Sequence, residues 1–113
     1  MTPDRFRQLV LALPEAVESE HMGHPDFRVR GRIFATLDAE ETHGVLKLTL
    51  DEQDAFMQRD PDAFRPVPGG WGRRGYTQVV LRAARVSDVR DGLTLAWRKT
   101  APKALRDADQ SRS

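Results

Sequence analysis

Residues 24–37 read HPDFRVRGRIFATL, and the alternation in this stretch decides the fold. Every odd position from Phe27 to Leu37 is apolar or glycine: Phe27, Val29, Gly31, Ile33, Ala35 and Leu37. The even positions include Arg28, Arg30 and Arg32. A period of two marks β-structure with one buried and one wet face. Gly31 lies between two arginines, where a tight turn belongs. The stretch therefore reads as a hairpin of Phe27–Val29 and Ile33–Leu37 joined by Arg30, Gly31 and Arg32. A three-residue connection sets Val29 opposite Ile33 and Phe27 opposite Ala35, which keeps the odd residues on one face. A two-residue loop would pair Val29 with Arg32. In the longer loop two arginines stand at the tip.

Upstream, Thr2 can cap a helix, Pro3 suits its first position, and Asp4 complements its dipole. Phe6, Leu9, Val10 and Leu13 then form one apolar face, and Pro14 stops the helix. Ala16 to Met22 reads as an edge-like strand. Downstream, Asp38–Thr42 is a second turn and Val45–Leu50 a third strand, with Leu46, Leu48 and Leu50 on one side. Asp51 and Asp54 resemble the cap of a short helix bearing Phe56 and Met57. Residues 60–75 hold three prolines and four glycines, so they read mainly as loop. Tyr76–Arg82 is a strand rich in β-formers. Ser87 caps a last helix whose face is Val89, Leu93, Ala96 and Trp97. Gly92 weakens that helix without ending it. Pro102 ends or kinks it, with a short turn through Leu105.

The chain has 113 residues, a formal net charge of +1 and no cysteine. That length is one domain, residues 1–106, with a polar C-terminal tail at 107–113. Disulfides and thiolate metal sites are excluded. No apolar run approaches a membrane span or a signal peptide, so the expectation is a cytoplasmic protein with no membrane partner. The charge is uneven. Residues 1–71 carry 8 basic and 13 acidic side chains, whereas residues 72–106 carry 9 basic and 2 acidic. Such a basic segment could attract phosphates, or it could pair with the acidic half inside the fold.

The element order gives an α+β fold, a two-layer sandwich in which helices cover one face of an antiparallel sheet. The other face is left open. By alternation Arg28, Phe34, Lys47, Tyr76, Gln78 and Arg82 fall on it. No G-x-S-x-G, Walker loop, dinucleotide fingerprint or H-E-x-x-H is present. The Gly69–Gly75 run opens a strand rather than a helix, so it lacks the helix N-terminus of a phosphate cradle. It reads either as a mobile arm presenting Trp71 and two arginines, or as a connection in which Trp71 covers the core's edge. His21 and His24 lie three apart, which in strands points them to opposite faces; a metal site would need Glu20 or Asp26 to join them. No metal, no cofactor and no catalytic set is expected.

Four segments, HPDFRVRGRIFATL, GVLKLTLDEQDAF, GGWGRRGYTQVVL and AWRKTAPKAL, together resemble the MmcQ/YjbR-like family of small bacterial proteins. The resemblance runs from the first helix to about Leu105. It implies a CyaY-like, double-wing α+β fold. Members are commonly labelled DNA-binding, and no catalytic residues come with the family. Its motif positions fall on His24, Pro25, Phe27, Lys47, Trp71, Trp97 and Arg98. The likeness to frataxin-like proteins is one of fold alone. Their iron handling uses an acidic helix surface, and the first helix here carries only Asp4, Arg5 and Arg7.

The leading expectation is thus a non-catalytic protein that contacts double-stranded DNA. Arg30 and Arg32 at the hairpin tip and Arg73 and Arg74 in the glycine loop would clasp phosphates, with Lys47 and Arg82 on the sheet between them. The alternative is a module for a small anionic ligand or a protein partner, held by Phe34, Lys47, Trp71 and Tyr76 on the open face. The sequence does not give an oligomeric state.

Overall fold

A computed structural model describes residues 1–110. Six strands form one antiparallel sheet, in the spatial order β1-β2-β3-β4-β6-β5. They are β1 Ala16–His21, β2 His24–Val29, β3 Arg32–Leu37, β4 His43–Lys47, β5 Phe64–Pro66 and β6 Tyr76–Val80. The helices are α1 Pro3–Leu11, α2 Leu50–Arg59, α3 Gly70–Arg73, α4 Val86–Thr100 and α5 Lys103–Gln110. The helices α1 and α4 pack on each other and on one sheet face, and α2 packs beside β5. This is the two-layer α+β sandwich with an open face that the alternation implies.

The core fills the space between the layers. Phe6, Phe27, Leu46, Leu48, Leu93 and Trp97 are all buried there. Phe6 meets Phe27 edge-on with ring centroids 5.8 Å apart. Trp97 Nε1 donates to Pro14 O at 2.9 Å, which ties α4 to the end of the α1 segment. Gly92 lets α4 lie close to β4, since a Cβ there would sit 2.8 Å from Leu46 Cδ1.

The central hairpin differs from its expected register. Val29 pairs with Arg32 and Arg28 with Ile33, so the loop is two residues, Arg30 and Gly31. Both have positive φ, 51° and 79°. Such a turn matches the right-handed twist of the flanking strands better than a longer loop does. The register then shifts between Phe27 and Arg28, leaving Phe34 without a Cα partner and restoring Phe27 opposite Ala35. This bulge breaks the odd-even rule: Ile33 is exposed and Phe34 buried. An extra residue in one strand turns the following side chains over.

Several boundaries move for similar local reasons. Thr49, not Asp51, caps α2: its side chain accepts from Glu52 N, and Glu52 reaches back to Thr49 N at 2.9 Å. This capping box ends β4 at Lys47 rather than Leu50 and leaves Leu50 exposed. Arg85, not Ser87, is the N-cap of α4, without a side-chain cap bond. The 60–75 stretch holds β5 and the one-turn helix α3. Pro102 does separate two helices, but α5 continues to Gln110 rather than stopping near Leu105. Residues 111–113 of the expected tail lie outside the described residues.

Candidate nucleic-acid interface

One end of the sheet gathers most of the candidate residues. β2 ends and β3 begins there, so the Arg30–Gly31 turn and Arg32 lie at this end. β4 finishes there with Lys47, which pairs with Tyr76 at the start of β6. The helix α3 immediately precedes Tyr76 and brings Trp71, Arg73 and Arg74 to the same end. Strands β3, β4 and β6 are adjacent, so these groups spread over about 10 Å of sheet width. Arg82 does not join them. It follows β6 at the opposite end, beside Met1, Glu41, Thr42 and His43. An antiparallel strand carries its first and last residues to opposite ends, so Arg82 and Lys47 cannot act on one short ligand.

The cations differ in freedom. Arg30 makes a two-pronged bond to Glu15, at 2.5 and 3.0 Å. Hydrogen bonding from Arg30 holds the Glu15 carboxyl below its usual range, and the pairing raises Arg30. Arg28 is likewise bound to Asp26, at 2.9 and 3.0 Å, with Asp26 wholly buried. Arg32, Lys47, Arg73 and Arg74 form no ion pair with a described carboxylate. The same holds for every basic side chain between residues 72 and 106. The segment's own Asp88 and Asp91 are instead engaged by Arg59 from α2. Among the described residues, direct ion pairs to carboxylates therefore do not engage the basic segment. The end is not purely basic: Asp51 and Glu52 open α2 nearby, with Glu52 occupied in the capping box.

The glycine-rich arm is pinned rather than mobile. Gln53, buried in α2, donates from Nε2 to Gly72 O and Tyr76 O, both at 3.1 Å. Val67 N donates to Tyr76 O and Gly75 N to Gly72 O. Gly75 has φ +104°, and a Cβ on it would lie 2.0 Å from Leu48 O; one on Gly72 would lie 2.0 Å from Val67 O. Only glycine allows backbone to approach backbone so closely. Trp71 does not cover the core's edge. It stands 56% exposed, edge-on to Tyr76 at 5.1 Å and 5.5 Å from the Arg74 guanidinium.

On the open face Lys47, Tyr76 and Phe34 border a recess of about 50 Å³. Phe34 is almost wholly buried, so it is a wall rather than a contact. His21 and His24 do meet, contrary to the separation expected within a strand. The Met22–Gly23 turn makes them cross-strand partners with rings 6.3 Å apart. Among the described residues no group of three or more metal-ligating side chains comes together. Gln53 had no signature in the sequence, because a buried amide on a helix face looks like any surface glutamine. Lys99, which donates to Leu48 O at 2.9 Å, joins this end only through the packing of α4.

The model of the YjbR family matches residues 11–99. The chain belongs to the YjbR family. Among solved structures, the Deinococcus radiodurans protein DR2400, which carries the domain DUF419, matches this YjbR chain with a TM-score of 0.76 and 19% identity. The match covers 95% of this chain and 86% of that one. At that identity the likeness speaks for the shared α+β fold. No curated protein matches. The family-motif positions divide by role here: Phe27 and Trp97 are core, while Trp71 and Arg98 are exposed and Lys47 half-buried on the open face. No helix among the described residues is long and apolar enough to cross a membrane.

Proposed function

We propose that this YjbR protein is a non-catalytic DNA-binding module that holds phosphates with Arg32, Lys47, Arg73 and Arg74 at one end of its sheet. The observation that carries this reading is that, among the described residues, these four cations form no ion pair with a carboxylate. A cation without an internal partner is available to neutralise a phosphate, and the counterions this releases from the DNA drive binding. Arg30 contributes little, being committed to Glu15, and Arg82 lies at the wrong end. A net charge of +1 fits modest, salt-sensitive affinity with little sequence preference. The recess that Phe34, Lys47 and Tyr76 border is about 50 Å³, which weighs against a small ligand seated among those three residues, since such sites enclose roughly 300–1,000 Å³.

A mobility shift with random duplex DNA at low salt tests the reading. The wild-type protein retards the duplex, and the Arg32, Lys47, Arg73, Arg74 quadruple alanine variant does not, with its circular dichroism unchanged. Wild-type protein that shifts neither the duplex nor a single strand at low salt rules the reading out.

A further inference from the structure

Trp71 is not accounted for by phosphate binding. It is a large aromatic held 56% exposed, on an arm that Gln53, Gly72 and Gly75 lock in place. Arg74 lies over its ring at 5.5 Å, and Tyr76 braces it edge-on at 5.1 Å. An indole fixed in solvent beside unpaired cations has the two parts of a single-strand site: a π-surface for a base and positive charge for the backbone. In a duplex the base faces are already stacked and out of reach, so an indole platform favours unpaired bases.

We infer that Trp71 is a stacking platform for an unpaired base of a single-stranded nucleic acid, whose phosphates lie along Arg73, Arg74 and Lys47. This rests on the phosphate-binding reading above and narrows its ligand. Charge complementarity selects the occupant: an apolar partner surface would have to bury these cations without counter-charges, whereas a polynucleotide supplies a phosphate for each base it stacks. No bond is made or broken.

The two tryptophans make the test direct. Trp97 is fully buried and bonded to Pro14 O, so quenching by a bound base reports on Trp71. A twelve-residue oligothymidylate, an abasic strand of the same charge and a twelve-pair duplex are titrated at one low salt concentration. The expected result is quenching by oligothymidylate alone, bound about tenfold more tightly than the abasic strand, within the 5- to 150-fold that one stacked base supplies. Trp71→Ala brings oligothymidylate down to abasic affinity, and Trp71→Phe keeps most of the preference. Arg73→Ala with Arg74→Ala weakens oligothymidylate and abasic strand alike. Equal, salt-sensitive affinity for all three ligands without quenching overturns the stacking inference and leaves phosphate binding standing. Failure of all three to bind at low salt overturns both.

Discussion

The salt dependence of duplex binding follows from which cations the fold leaves free. Four free cations, Arg32, Lys47, Arg73 and Arg74, each neutralising one phosphate, give a slope of log K against log salt of about −3.6. Raising salt from 50 to 200 mM then weakens binding about 150-fold. Arg73→Ala with Arg74→Ala halves the slope to about −1.8, and the same salt change costs only about 12-fold. Arg82→Ala leaves the slope unaltered, because Arg82 sits beyond the other end of β6. Glu15→Ala is the most demanding case. It releases Arg30 from its two-pronged partner and steepens the slope by about 0.9, so removing the acid that holds Arg30 tightens binding at low salt. Fluorescence anisotropy of a labelled duplex across a salt series measures all four proteins. A slope that Arg73 and Arg74 do not change, or that Arg82 changes as much as they do, refutes the assignment.

Gly75→Ala forces a Cβ to within 2.0 Å of Leu48 O at a φ of +104° and costs on the order of 3 kcal/mol, read by urea denaturation. Gly70→Ala, where a Cβ meets nothing within 4 Å, is neutral or slightly stabilising in the same assay. Gln53→Ala removes the buried donor to Gly72 O and Tyr76 O, lowers stability by about 1–2 kcal/mol, and raises iodide quenching of Trp71 as the arm loosens. Asp38 accepts from Thr42 N, Thr42 Oγ1 and His43 N at 2.8, 2.9 and 3.1 Å. Burial pushes its carboxyl up, but these bonds and the nearby His43 outweigh that, and its pKa lies below the ordinary value. A depressed carboxyl stabilises the fold above its unfolded pKa and loses that contribution as acid protonates it. Asp38→Asn therefore costs about 1 kcal/mol above roughly pH 5, and the gap from wild type closes as pH falls below about 4; denaturation at several pH values checks this.

The alternation over residues 24–37, the 3.6-residue faces of α1 and α4, and the capping signal at Thr2 and Pro3 are local patterns, and local patterns fix which side of an element turns inward. They determined a helix-backed antiparallel sheet, the burial of Phe27, Leu46, Leu93 and Trp97, and arginines at the central hairpin. Three things lay beyond them. The bulge at Phe34 arises because a two-residue turn suits strand twist, and the mismatch must be absorbed further along the strand. The capture of Arg30 by Glu15 depends on where the α1–β1 connection passes the hairpin. The opposite placement of Arg82 and Lys47 follows from strand direction, which composition does not carry. The tertiary structure alone decided which cations stay free and that Trp71 is held rigid in solvent, because both depend on groups distant in sequence: Glu15 facing Arg30, Asp88 and Asp91 facing Arg59, and Gln53 bracing the arm.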